Sequence, residues 1–253
     1  MSSKKHPFIF TPAVVLLPFI FIFSIWLVYW SEVRFGFRFN DYGVYPRTLK
    51  GLRGVIFSPF IHGSLNHLWN NTIPLFLLSA AVIYFYRSQR WTIFIVGLFG
   101  SGIITWLIGR EANHIGASGF IYVLMSFIFF KGIITGYYRF VAVSLIIMFV
   151  YGGMLWYLFP IEPHISWEGH LGGFITGFLL AVFLPVVYAK ETYEWEKKEF
   201  VPDDDPFMRH FDENGNFMET LPEDEAVVEQ PVLQPTIKVN YIYVSSTTSS
   251  EEE

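Results

Sequence analysis

Apolar residues in this chain gather in long unbroken runs, and polar residues collect in the gaps between them. The runs show neither the alternation of a half-buried strand nor the one-sided stripe of a soluble helix, so they read as segments surrounded by apolar material on every side. Six of them, at residues 8–30, 67–86, 91–108, 118–134, 137–158 and 170–189, are long enough as helices to cross about 30 Å of hydrocarbon. The pattern predicts an all-α membrane protein, a bundle of six transmembrane helices. The first run follows Ser2-Ser3-Lys4-Lys5. It is too long for a signal peptide and has no small-residue cleavage site, so it is expected to stay as a helix.

Two polar stretches interrupt the runs. Residues 31–66 interleave Phe35, Phe37, Phe39, Tyr42 and Tyr45 with glycines and arginines. This amphipathic first loop is expected to form a folded element resting at the bilayer surface, a plain aromatic belt being the alternative. After Lys190 a charged, helix-like continuation gives way to Pro202-Asp203-Asp204-Asp205-Pro206. Asn214-Gly215 then marks a turn, and residues 236–244 alternate like a strand. The Asp and Asn residues around this turn lack the spacing of a calcium loop. The chain therefore divides into a membrane domain at 1–190 and an acidic, partly disordered cytoplasmic tail at 191–253.

Composition agrees: of 253 residues, 53% are hydrophobic and only 15% charged, which excludes an ordinary soluble domain. The net charge of -5 conceals a division, because residues 190–253 hold 17 acids and 5 bases while the rest holds 5 acids and 12 bases. With six spans the two ends share one side of the membrane. Lys4, Lys5, Arg87, Arg90, Lys131, Arg139, Lys190, Lys197 and Lys198 fall on that side, which the positive-inside rule makes cytoplasmic. Arg34, Arg38, Arg47, Lys50 and Arg53 in the first loop argue the other way. Cysteine is absent, which removes disulfides, thiolate nucleophiles and sulfur-ligated zinc.

Polar residues at the starts of three runs stand out, since an ionisable group in a span costs about 2.5–3.5 kcal/mol when charged and is kept for a reason. Ser118 lies in Gly116-Ala117-Ser118-Gly119. Glycines there permit a sharp turn and close approach of backbone N–H groups to a reacting oxygen, and a helix start adds oriented donors. Tight helix contact through small residues explains the same four positions equally simply. His170 opens the last run, with Gly173 and Gly177 on its face, so another helix can press against that face. If that helix is the one starting at Ser118, nucleophile and base meet, and Tyr122, four residues on, can stack on the imidazole. The plainer reading of His170 is an interfacial histidine. A third cluster runs from His62 to Asn71. His67 and Asn71, four apart, can aim hydrogen bonds at one point, as stabilisation of a developing oxyanion requires. Ser64, Asn66 and Asn70 suit helix capping.

Taken together these residues resemble the rhomboid family of intramembrane serine proteases. The likeness rests on His62, His67 and Asn71 in a His-x4-His-x3-Asn pattern, Gly116 to Gly119 as Gly-x-Ser-Gly, and His170, Gly173 and Gly177 as His-x2-Gly-x3-Gly. The resemblance implies that Ser118 is the nucleophile and His170 the general base of a dyad without an acid partner. It implies an oxyanion hole from His67, Asn71 and the Ser118 amide, with Tyr122 packed on His170 and His62 shaping a water-filled cavity above the serine. Many bacterial members carry a Trp-Arg pair in the first loop, where this chain has Tyr45-Pro46-Arg47.

The expected function is cleavage of transmembrane segments, preferably ones with small or Pro residues, entering beside the aromatic fifth span with Tyr151 and Trp156. The partners expected are transmembrane protein substrates and the lipid bilayer, with no nucleic acid, metal or other cofactor. The expected location is the bacterial plasma (inner) membrane. His114 and His164 are rival bases, and a metalloprotease is disfavoured because no His-Glu-x-x-His occurs. A non-cleaving rhomboid-like factor that binds membrane helices is the alternative function, and a small transporter is a more distant one.

Overall fold

The computed structural model describes residues 9–185 and, apart from Glu213, residues 207–218. The helical continuation expected after Lys190, the proline-flanked acids at 202–206, the strand expected at 236–244 and Lys4, Lys5, Lys190, Lys197 and Lys198 lie outside them. The chain divides into two units, Met1–Lys190 and Glu191–Glu253.

In the first unit every regular element among the described residues is helical. The long helices are α1 (Ala13–Phe35), α4 (Leu65–Phe85), α5 (Arg90–Ile108), α6 (Ser118–Thr135) and α7 (Tyr138–Tyr151), with α8 (Trp167–Phe183) last. Two single-turn helices, α2 (Leu49–Leu52) and α3 (Gly54–Phe57), lie in the first loop. Five helical stretches, α7 being extended to Leu158, are long and apolar enough to cross a membrane; α8, at 17 residues, is shorter.

The observed bounds depart from the apolar runs where glycine intervenes. α1 starts and ends about one turn later than expected, closing at Gly36, whose left-handed φ of 70° lets its N–H reach the Glu32 carbonyl. The fifth run does not remain α-helical. At Gly152-Gly153 it tightens into a 3-10 helix, Gly152–Leu158, because two glycines weaken the α-helix there. The first loop folds through α2, α3 and two 3-10 turns. Thr48 caps α2 through the Gly51 N–H, and the Arg53 guanidinium sits 4.1 Å from the Tyr42 ring centre.

α6 is the axis of the unit: residues 120–128 are all buried, and α4, α5, α7 and α8 surround it. Its closest neighbour is α8. A Cβ added at Gly173 would lie 1.9 Å from the Gly119 carbonyl oxygen, and one at Gly177 would lie 2.2 Å from that of Val123. The two backbones therefore touch along the glycine face of α8, as its small-residue repeat anticipates. Lys131, buried on α6, donates to the Ala181 and Leu184 carbonyls at 2.9 and 2.6 Å and so ties down the C-terminal end of α8. Phe19, Ile20, Phe23 and Leu27 on α1 are exposed, as lipid-facing side chains should be.

In the second unit, the turn expected at Asn214-Gly215 is present. Phe211 pairs with Phe217, Gly215 has φ of 82°, and the Asp212 carboxylate accepts from the Asn214 and Asn216 amides.

Candidate functional site

Three helix starts converge at one end of the bundle. α6 begins at Ser118, two residues after Gly116, whose φ of 109° is open only to glycine without strain. A Cβ at Gly116 would also meet His67 Nε2 at 2.6 Å. The glycine thus serves both the turn and the close approach of α4. Ser64 caps α4 by accepting from the His67 N–H at 3.1 Å. That leaves His67 and, one turn deeper, Asn71 on the side that faces the serine loop. α8 is capped by Ser166, which accepts from the Gly169 N–H, and it presents His170 to Ser118 across the glycine contact.

Ser118 Oγ lies 2.9 Å from His170 Nε2. The other ring nitrogen, Nδ1, lies 2.9 Å from the carbonyl oxygen of Tyr157. A carbonyl only accepts, so Nδ1 carries the proton and the neutral imidazole keeps Nε2 free to accept from the serine hydroxyl. Tyr122 stacks on the imidazole, ring centres 4.3 Å apart and planes 15° off parallel, while its hydroxyl donates to the Met154 carbonyl. The imidazole is held in plane by one group and in tautomer by another.

Beside this pair, Asn71 Nδ2 donates to the His67 carbonyl at 2.9 Å, which leaves its second N–H free to point elsewhere. His67, Asn71, Ser118, Tyr122 and His170 all line one cavity of about 790 Å³ that also reaches Tyr151, Tyr157 and His164. Trp156, expected with Tyr151 beside the entry path, is exposed on the same segment. His62 packs against His67, beside the serine loop. It is buried and lies outside the lining of that cavity, its ring 5.0 Å from that of His67 and its Nε2 3.5 Å from the Ala117 N–H.

Neither rival histidine hydrogen-bonds Ser118. His114 is buried, its Nε2 donating to the Arg110 carbonyl at 3.0 Å and its Nδ1 accepting from Ser166 Oγ at 2.6 Å. It pins the serine loop to the cap of α8, and a two-way backbone pairing of His114 with Val44 ties both to the first loop. His164 lines the cavity mouth. Sequence reasoning passed over Glu168, which is buried on α8, accepts from the Arg110 backbone N–H at 3.2 Å and pairs with the Arg110 guanidinium at 3.6 Å. An acidic residue at a span entrance was the available signal. Among the described residues no three His, Asp or Glu side chains gather to hold a metal.

Burial and, next, the neighbouring His67 push the His62 pKa from its ordinary 6.5 down to about 3. Burial lowers that of His114 as well. The folded protein therefore holds these protons less readily than the unfolded chain, which takes them up below about pH 6.5. More protons bound in the unfolded state means that stability rises with pH. The stabilising effect is therefore complete above about 6.5 and drains away as pH falls from there towards about 3. Thermal midpoints measured between pH 7.5 and 4 should fall, and the fall should shrink in His62→Asn; an identical slope in that variant would contradict the assignment.

The chain matches the Rhomboid domain over residues 50–186. Uncharacterized proteins of Mycobacterium bovis and Mycobacterium tuberculosis are each 34% identical to it over 193 residues, which is 72% of this chain and 79% of the relative. One from Mycobacterium leprae is 34% identical over 143 residues, 53% of this chain and 56% of its own length.

Proposed function

The chain belongs to the rhomboid family, and we propose that it is an intramembrane serine endopeptidase that cuts transmembrane segments of other membrane proteins through Ser118 and His170. Members of the family are generally intramembrane serine proteases. The single observation that carries the reading to this chain is the Ser118 hydroxyl 2.9 Å from an imidazole nitrogen that is free to accept its proton.

Ser118 Oγ attacks the scissile carbonyl carbon as its proton passes to His170 Nε2. The resulting oxyanion lies towards the Ser118 N–H, His67 Nε2 and the free N–H of Asn71, while Gly116, Gly119, Gly173 and Gly177 let the three helix starts close on one point. The imidazolium gives its proton to the leaving amine, the peptide bond breaks, and water hydrolyses the acyl-enzyme by the reverse transfers. Backbone buried in a helix cannot be attacked, so segments that unwind readily at small or Pro residues are preferred substrates. Such a segment enters from lipid beside α7, past Tyr151 and Trp156.

In this reading α8, about 26 Å long at 1.5 Å per residue, is the sixth span, and the first loop rests amphipathically on the outer surface. The protein is a multi-pass protein of the bacterial plasma membrane, with residues 191–253 an acidic cytoplasmic tail. No cofactor, metal or nucleic acid enters the mechanism.

A fluorophosphonate probe is expected to label Ser118 in the full-length protein and to stop its cleavage of a reporter segment. A folded protein that binds reporter segments yet takes no probe and cuts none would put the non-cleaving binding role in its place. Removing one oxyanion donor should lower kcat by about a hundredfold to a thousandfold, so Asn71→Ala and His67→Ala should each do so with KM little changed. An Asn71→Ala protein within threefold of wild type would remove that residue from the oxyanion site.

A further inference from the structure

In a serine–histidine–aspartate triad a carboxylate accepts the proton on the outer imidazole nitrogen and so sets the tautomer. Here the main-chain carbonyl of Tyr157 occupies that position, 2.9 Å from His170 Nδ1. Glu168, the buried carboxylate on the same helix, is engaged by Arg110 instead. Tyr157 lies in the 3-10 turn Gly152–Leu158 that follows α7. The same turn supplies the Met154 carbonyl that accepts from Tyr122, the ring stacked on the imidazole.

The 3-10 geometry matters to this arrangement. With three residues per turn, positions i and i+3 eclipse, so the carbonyls of Met154 and Tyr157 lie one above the other and face the same way; 3.6 residues per turn would swing one aside. A glycine pair that looks like a defect in the fifth apolar run thereby aligns two acceptors on the dyad. No residue of the turn is buried, and Trp156 is 68% exposed. The turn is held by Met154, Leu155 and Leu158, half-buried against the core, together with what its carbonyls bind.

We propose that the Gly152–Leu158 turn is the positioning element of the dyad, the Tyr157 carbonyl standing where a triad has its carboxylate and the Met154 carbonyl fixing the stacked Tyr122. This rests on the proteolytic reading of Ser118 and His170. Its consequence is a coupling of entry to chemistry: a substrate that displaces the turn beside α7 breaks both hydrogen bonds together, and His170 becomes an aligned base only when the turn seats again.

Replacing Leu158 of the full-length protein by its α-hydroxy acid turns the Tyr157 carbonyl into an ester carbonyl, a poorer acceptor, with every side chain kept. The expected result is a kcat lower by about tenfold, equivalent to ~1.4 kcal/mol at the barrier, with KM within about twofold, and an upfield shift of the His170 Nδ1–H proton resonance in 15N-labelled protein. The same swap at Phe159 removes the N–H bond to the Trp156 carbonyl at 3.2 Å and leaves the Tyr157 amide intact, so it should change neither. Tyr122→Phe, which keeps the stack and loses the hydroxyl, should lower kcat several-fold. Combined with the Leu158 ester it should cost less than the product of the two, since both act through one turn. Unchanged kcat and resonance in the Leu158 ester, or a wild type whose proton sits on Nε2, overturns the proposal. Loss of kcat without a shifted resonance does so too. The resonance needs no turnover, so a protein that shows the Nδ1–H signal but no Ser118-dependent cleavage would sink the proteolytic reading and leave the Tyr157 contact standing.

Discussion

Ser118→Ala is expected to remove cleavage of a reporter transmembrane segment, a loss on the order of 10⁴-fold or more, while the protein still folds and inserts. The hydroxyl makes one hydrogen bond, to His170 at 2.9 Å. Losing it costs about 1 kcal/mol, and the thermal midpoint of a domain this size should move by no more than about 2–4 °C. The chemistry loses everything, because no other hydroxyl is hydrogen-bonded to His170 among the described residues. His170→Ala should fall to the same floor, and the double variant should fall no further, since nucleophile and base act as one unit. Purified proteins in liposomes, with melting curves for each, make the comparison. Residual cleavage by Ser118→Ala above a tenth of wild type would point to another nucleophile and end the proposed mechanism.

Gly173→Val should have the next largest effect, through the fold and not the chemistry. The Cβ that any other residue brings would sit 1.9 Å from the Gly119 carbonyl oxygen and 3.1 Å from the Tyr122 Cβ. The first of these belongs to backbone in the opening turn of α6 and cannot swing aside. α6 and α8 must separate, which strips the contacts at Gly119 and Gly177 and moves His170 from Ser118. Overpacking of a well-filled core costs about 1–3 kcal/mol and sometimes more, and here the displaced atoms are main chain. Folded yield and cleavage should both collapse. Gly63→Ala, whose Cβ would meet only Ile115 Cδ1 at 3.5 Å, should behave as wild type. A Gly173→Val protein that melts within a few degrees of wild type and still cuts would mean that the α6–α8 contact is looser than its geometry requires.

Much of the site was legible in the sequence because its features are local. Gly116 sits in the sharp turn before Ser118, Ser64 suits the cap of α4, and Gly173 and Gly177 recur at the spacing of one helix face. The buried pairs escaped. Arg110 and Glu168 are 58 residues apart, and His114 and Ser166 are 52 apart. Each of these side chains alone has a plain reading as a polar loop or cap residue, and their meeting depends on how α8 leans on α6. The partner of His62 is hidden for the same reason: its spacing from His67 is visible, but its meeting with the Ala117 N–H joins residues 55 apart.

Residue order alone is enough to say that this chain partitions into lipid as helices, where those helices begin to within about a turn, and which serine, histidines and asparagine stand at their entrances. These follow from the free energy of moving side chains and unpaired backbone out of water, which depends on residue type and local order alone. Packing of the helices is what sets His170, and not His114, against Ser118, winds the last part of the fifth run as a 3-10 turn, and makes the carbonyl of Tyr157 the partner of His170 Nδ1. Every residue carries a main-chain carbonyl, so nothing in the letters marks the one that matters; its direction is set by the winding of the turn and by what the turn packs against.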